Sequence, residues 1–356
     1  MALIHGGDRA GFLEVYGREP VDFSVNVNPF GMPESAKKAA AQALERAAEY
    51  PDMPYRKLCR AIGASCQVPA EYVVPGNGAA DLIWRLAALK RGQRALITAP
   101  SFSEYEGALT ACGWEVRRHV LLRESGFALT EDILPQITAD LGLVILCNPN
   151  NPTGKTIPQG LLLQILDRCR DYGVLLCVDE CFNGFLDDPG AHSLRDRLEL
   201  SDNLILLGAL TKLYAMAGLR LGYALCANDA LRARLWAMGQ SWPVSVVAEA
   251  AAIAALEDKA YLEYSLPPLR AERRRLRSAL ETAGLEVLGG EANYLFFYTD
   301  IPAFGRRLAE KGFLLRDCGS YPGIEDGYYR IAVRRPEDND QLLAAIREVK
   351  ASLDAL

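Results

Sequence analysis

The chain is predicted to be an α/β protein: a large domain with a mostly parallel central sheet, then a smaller α+β domain. Three observations point there. Between about residue 56 and residue 225 short apolar runs alternate with helical stretches, the pattern of parallel strands with helices on both faces. The runs are continuously apolar rather than alternating, as strands buried on both faces are. After Trp242-Pro243 the rhythm changes to a long helical stretch and two helix-strand units.

Taken in order, residues 1–30 read as a polar, turn-rich arm that packs with the small domain. It carries His5-Gly6-Gly7 and the segment from Asp22-Phe23-Ser24 to Asn28-Pro29-Phe30-Gly31, the last four being turn chemistry. Residues 31–240 form the expected large domain. Pro33 opens an alanine-rich helix that runs to Ala48 and breaks at Tyr50-Pro51-Asp52. Strands are expected at Tyr72–Val74, Arg94–Thr98, Leu143–Cys147, Val174–Val178, Leu204–Leu207 and Leu221–Leu225. Residues 241–356 form the small domain, with a helical stretch from Val244 to about Leu280 broken at Pro267-Pro268, a strand at Tyr328–Val333 and a last helix from Pro336 to Leu356.

Of 356 residues 50% are hydrophobic and 24% charged, so an ordered globular chain is expected. The net charge of −6 argues against a nucleic-acid partner. The one basic run, Arg273-Arg274-Arg275-Leu276-Arg277, keeps helical spacing and reads as a solvated face. Nine scattered cysteines without a Cys-x-x-Cys pair imply a reduced, cytoplasmic protein. Three distant histidines suggest no metal site. The N-terminus has no leader pattern, and no apolar run approaches the ~18 residues of a membrane span.

The chemistry sits where strands end. Lys212 follows Leu204–Gly208, Asn148-Pro149-Asn150-Asn151-Pro152-Thr153-Gly154 follows Leu143–Cys147, and Asp179-Glu180 closes Val174–Val178. A lysine, a carboxylate and an amide thus converge at one sheet edge, the usual place for a site in such a fold. Singly, each has a plain structural reading: a solvated lysine, a capping aspartate, an Asx-turn asparagine. Pro75-Gly76-Asn77-Gly78-Ala79-Ala80-Asp81 follows a strand and opens a helix, offering free N–H groups to a phosphate or forming a plain tight turn. Asp81 in the third glycine's place excludes a Rossmann fingerprint. Gly154-Lys155-Thr156 mimics the end of a P-loop, but Pro149 stands where that motif needs glycine.

The combination, in this order, resembles the aspartate-aminotransferase-like superfamily of pyridoxal 5′-phosphate (PLP) enzymes. The resemblance spans nearly the whole chain and implies a PLP-dependent transferase of fold type I. It narrows to the branch of histidinol-phosphate aminotransferases and, through His5-Gly6-Gly7, Phe102-Ser103-Glu104-Tyr105 and Arg316-Asp317-Cys318 ahead of Arg330, to the threonine-phosphate decarboxylases.

The resemblance implies that Lys212 bonds the cofactor, Asp179 pairs with its ring nitrogen, Asn151 meets its phenolic oxygen and Tyr105 stacks on the ring. Gly78, Ala79, Thr211 and Arg220 would hold its phosphate, joined by Tyr50 from the other subunit of a homodimer. Arg330 would grip the substrate carboxylate, and Arg316, His5 and Asn28 the phosphate of a small phosphorylated amino acid. Decarboxylation of threonine phosphate in cobalamin biosynthesis is the implied reaction, with transamination or a non-catalytic PLP-binding protein as alternatives. Two positions depart from the family: Ala209 replaces a common hydroxyl, and Phe182 replaces the aminotransferases' usual tyrosine, as in the decarboxylases.

Overall fold

The computed structural model describes residues 6–89 and 94–354. His5 and the last two residues of the expected terminal helix lie outside them. The expected turn-rich arm contains a helix, α1 (Arg9–Tyr16), because Asp8 caps it by accepting the Gly11 N–H at 3.0 Å. It continues into β1 (Val21–Asp22), which pairs in parallel with Phe313–Leu314 near the far end of the chain.

The next elements are α2 (Glu34–Ala43), α3 (Arg56–Cys66), β2 (Val73–Gly76), α4 (Gly78–Ala88), β3 (Arg94–Ala99), α5 (Ser103–Ala111), β4 (Glu115–Val120), β5 (Leu141–Cys147), α6 (Gln159–Asp171), β6 (Leu175–Asp179), β7 (Leu204–Ala209), α7 (Leu210–Leu213), β8 (Gly222–Leu225) and α8 (Asp229–Ala237). The predicted first helix is shorter than expected, passing into a 3-10 turn at Leu44–Arg46. Seven strands form one sheet in the order β2-β8-β7-β6-β5-β3-β4. Parallel pairing holds from β7 to β4. β8 is the exception, running antiparallel to both of its neighbours. β4 is an edge strand that the sequence hid, because Glu115, Arg117 and Arg118 make it look like a loop; such charges are what keeps an edge from pairing with another chain.

Alternation within the apolar runs divides the core. Ala95, Ile97, Leu143, Ile145, Cys177 and Leu207 face the layer that holds α4, α5 and α8. Leu96, Val144, Leu146, Leu176, Val178 and Leu206 face the layer of α3, α6 and α9 (Val246–Glu257). The two-residue period of a strand, invisible in a uniformly apolar run, is therefore fully used.

α9 is followed by α10 (Lys259–Thr282), β9 (Glu286–Gly289), β10 (Tyr294–Tyr298), α11 (Phe304–Glu310), β11 (Phe313–Leu314), β12 (Arg316–Asp317), β13 (Tyr328–Ala332) and α12 (Pro336–Asp354). The break predicted at Pro267-Pro268 falls instead at Asp258, which caps α10 by accepting the Tyr261 N–H at 3.2 Å. Both prolines lie inside α10. The helix persists because a face with Leu269, Leu276 and Leu280 packs on the small core, and that burial outweighs the forfeited backbone donors. β12-β13-β10-β9 form a second, antiparallel sheet around that core.

Candidate active site

β2, β5, β6 and β7 run in the same direction, so their C-terminal ends share one edge of the sheet. β8, being antiparallel, begins there: Gly222 pairs with both Gly76 and Ala209. That antiparallel direction is thus what delivers Arg220 to the edge where Lys212 and Asp179 stand. A cleft of about 370 Å³ opens at this edge. Asp179, Lys212, Thr211, Tyr105, Asn151, Ala79, Arg220, Arg316 and Arg330 all line it.

Asp179 is fixed at both oxygens. Oδ1 accepts the Cys181 N–H at 2.9 Å, and Oδ2 accepts the Tyr105 hydroxyl at 2.7 Å. Lys212 lies in the single turn of α7, whose carbonyl accepts the Asn28 N–H at 3.0 Å. Burial and the charges of Arg330 and Arg220 lower its amine to about 8, Cys181 opposing. A buried amine that is half neutral near pH 8 is a competent nucleophile for a carbonyl group.

An anion cup adjoins the lysine. It consists of the N-terminus of α4, whose first N–H groups have no partner within the helix, together with Thr211 and Arg220. Gly78 adopts φ +76°, and a Cβ there would lie 2.5 Å from Arg220 Nη2, so only glycine lets the guanidinium lie against the helix start. Gly222 is equally constrained, since its Cβ would meet the Ala79 N–H. Amine, carboxylate and anion cup suit a phosphorylated pyridine aldehyde.

A second positive region faces this cup. Arg316 and Arg330 are directly opposed across the antiparallel β12–β13 pair, which puts both side chains on one face. Arg330 donates through Nη1 to Asn151 Oδ1 and through Nη2 to the Ser24 carbonyl at 2.6 Å, while its buried Nε has no partner among the described residues. Its guanidinium lies 5.7 Å from the Tyr294 ring centroid, and that of Arg316 lies 5.1 Å from Tyr321.

One sequence expectation falls elsewhere. Asn28 does not reach the cleft: its amide donates to the Leu213 carbonyl at 3.0 Å and to Ser265 Oγ at 3.3 Å, bracing the Lys212 turn. Tyr50 is 75% exposed and stacks on Trp242 at 4.3 Å, away from this chain's cleft. His5 lies outside the described residues. In place of Asn28 the structure brings Asn26, buried in the cleft wall with its Oδ1 unpartnered among the described residues. A tight turn, with the Val27 N–H bonded to the Val25 carbonyl at 3.1 Å, separates the directions of the two asparagines. An Asn-x-Asn pattern cannot show that turn. Phe182 lines the cleft and meets Tyr294 edge-on at 5.0 Å, and Ala209 lines it without a hydroxyl.

Among the described residues no helix is long and apolar enough to cross a membrane, and no His/Cys/Asp/Glu cluster suited to a metal is present. Residues 18–346 match the family of class I and II aminotransferases. The chain is 38% identical to a threonine-phosphate decarboxylase of Salmonella typhimurium, over 97% of this chain and 96% of that protein. In structure it is similar to a histidinol-phosphate aminotransferase of Clostridium acetobutylicum, with a TM-score of 0.88 and 29% identity over 93% of this chain and 99% of the other. Another such aminotransferase, from Sinorhizobium meliloti in complex with pyridoxal-5′-phosphate, shares the fold with a TM-score of 0.89 at 22% identity, over 99% of this chain and 96% of that one.

Proposed function

Because the chain belongs to the class I and II aminotransferase family, enzymes of fold type I that use pyridoxal 5′-phosphate, we propose that it decarboxylates L-threonine O-3-phosphate to (R)-1-aminopropan-2-yl phosphate in cobalamin biosynthesis. One observation carries the reading: two arginines stand opposed on β12 and β13, in a cleft that already has a separate anion cup at Arg220. Like charges directly opposed repel, and an anion between them relieves the repulsion. With the cup taken by the cofactor phosphate, the pair is left to a substrate with two anionic groups, as threonine phosphate has. The 38% identity to the Salmonella decarboxylase supports the same substrate.

When bound, the cofactor supplies a cationic ring that draws electrons from a bond broken at the substrate Cα. The protein's residues decide which bond. Arg330 presents a planar fork to the carboxylate, a geometry that lysine cannot reproduce. Arg316 and the amide nitrogen of Asn26 hold the phosphate at the other end. With both ends held, the Cα–carboxylate bond is turned across the ring plane, where its electrons are best withdrawn. Lys212, half neutral near pH 8, takes or returns a proton at Nζ. Phe182, backed by the buried Tyr294 ring, keeps that wall of the cleft apolar. Tyr50, exposed beside Trp242, is assigned to the neighbouring site of a homodimer, and fully active monomers at low concentration would contradict that assignment.

The test is Arg316→Ala. Charge-assisted bonds to a phosphate contribute ~1.5–3 kcal/mol each, so kcat/KM for threonine phosphate should fall roughly tenfold to a hundredfold and far less for threonine itself. Equal loss on both substrates rejects Arg316 as the phosphate site. A second reading, transamination of histidinol phosphate or a related amino acid, is favoured by the structural similarity to the Clostridium enzyme. With threonine phosphate as substrate, release of CO2 supports decarboxylation, and formation of the corresponding keto acid without CO2 supports transamination.

A further inference from the structure

We infer that the hydroxyl of Tyr105, and not only its ring, is a functional group: it holds the Asp179 carboxylate in place and offsets part of the negative charge that this carboxylate presents to the cofactor. The residue is completely buried at the start of α5, and its hydroxyl donates to Asp179 Oδ2 at 2.7 Å. A ring that served only for stacking would not need that oxygen. Phenylalanine, which packs equally well, would serve.

The geometry leaves the carboxylate little freedom. The Cys181 N–H anchors Oδ1 from the chain that follows β6, and Tyr105 anchors Oδ2 from a separate element, α5. Two donors from two elements fix the carboxylate plane, while lone pairs on both oxygens remain for a third donor from the cleft. Burial and the Asp179 charge push the Tyr105 phenol well above its usual value, so it stays protonated and acts as a donor near neutral pH. A hydroxyl that cannot ionise is a constant partner for the carboxylate, not a switch.

Of the other titratable groups facing Asp179, the Cys181 thiol also bonds the carboxylate, but a thiol is a weak donor and does not substitute for the phenol. The thiols of Cys147, Cys177 and Cys181 and the phenol of Tyr294 are all pushed upward by burial and stay neutral. Glu180, raised to about 7 by burial, titrates near neutrality and bonds Ser193 on the other side of the turn. Tyr105 is thus a positioning residue for Asp179, and its removal has an electrostatic sign. A carboxylate stripped of one donor presents more negative charge to the cleft and favours the cationic form of whatever is bound at Lys212.

This inference rests on Asp179 facing the cofactor ring but not on the identity of the substrate, so it is tested with cofactor alone. The pH midpoint of the visible band of bound pyridoxal phosphate is compared in wild type, Tyr105→Phe, Asp179→Asn and the double variant, each in the Glu180→Gln background as well. Tyr105→Phe should raise the midpoint by about half a unit or more, on the scale of one charge-assisted bond. In the Asp179→Asn background the same change should do nothing, because no carboxylate charge remains to be offset. Cofactor affinity should change less than about threefold in Tyr105→Phe, whose ring still stacks, and more in Tyr105→Leu. An unmoved midpoint in Tyr105→Phe overturns the inference, and so does an equal shift with and without the Asp179 carboxylate. Failure of threonine phosphate as a substrate would leave these outcomes untouched.

Discussion

Glu180, the neighbour of Asp179, makes the protein less stable as pH rises, and Glu180→Gln should abolish that dependence. Its side chain turns away from the cleft into a buried site where the carboxylate lies 2.8 and 2.9 Å from Ser193 Oγ, 3.4 Å from the Leu194 N–H and 3.8 Å from Arg195 Nη2. Burial dominates over these partners and raises the carboxyl from 4.5 to about 7, with the nearby Asp179 charge adding to the rise. The folded state therefore holds this proton more tightly than the unfolded chain does. Its stabilising effect is complete below about pH 4.5 and is lost as pH climbs through 7. The rise from 4.5 to about 7 corresponds to about 3 kcal/mol, most of it appearing between pH 5 and pH 8. Glutamine keeps an acceptor for Ser193 and has no proton to lose. Denaturant unfolding of both proteins at one protein concentration, at pH 5 and at pH 8, gives the difference directly, and contributions from other groups cancel in it. If the variant and wild type lose stability in parallel over this range, the reasoning about Glu180 is wrong.

Other outcomes follow from the same geometry. With Lys212 near 8, covalent capture of pyridoxal phosphate by the apoprotein should accelerate as pH passes through about 8, and a rate that rises only above pH 10 would contradict the lowered amine; Lys212→Ala should give no visible band. Gly78→Ala places a Cβ 2.5 Å from Arg220 Nη2 at φ +76°, a strain of about 1–2 kcal/mol before any loss of phosphate contact, so equilibrium dialysis should show cofactor held at least about tenfold more weakly. Asn28→Ala should cost about 1–3 kcal/mol of stability by leaving the Leu213 carbonyl unpaired, with KM for threonine phosphate nearly unchanged. Asn26→Ala should do the reverse, and a raised KM in the Asn28 variant instead would restore that residue to the substrate site.

The parts of the fold legible in the sequence were those where one property decided the outcome. Apolar runs such as Leu143–Cys147 could only be buried strands, and their polar ends marked the sheet edge. Where two properties competed, the reading went astray. The charges of Glu115, Arg117 and Arg118 concealed an edge strand because the residues that protect an edge are also those of a loop. The prolines at 267 and 268 outweighed Asp258 on propensity alone, yet tertiary packing kept α10 whole and the cap at Asp258 divided the helices. Strand direction at β8 had no local signature, because Leu221–Leu225 reads the same whether it runs parallel or antiparallel to its neighbours.

The site was legible for a different reason: its residues sit at the ends of strands, and strand ends survive errors in direction and register as landmarks. Lys212, Asp179 and Asn151 come together whatever the order of the intervening helices. What the sequence could not supply was orientation over short distances. Asn26 and Asn28 are two residues apart and would share a face in a regular strand, but one tight turn sends the first to the cleft and the second to Leu213 and Ser265. The opposed arginines show the converse. Arg316 stands fourteen positions before Arg330, a spacing that says nothing by itself, and the β12–β13 register turns it into a cross-strand pair. Two guanidinium groups facing one cleft repel each other, a cost that Arg330 offsets in part through Asn151, the Ser24 carbonyl and the Tyr294 ring, and Arg316 through the Tyr321 ring. A ligand that brings its own negative charge relieves the repulsion that remains, and this is how the register of two short strands bears on the charge of the proposed substrate.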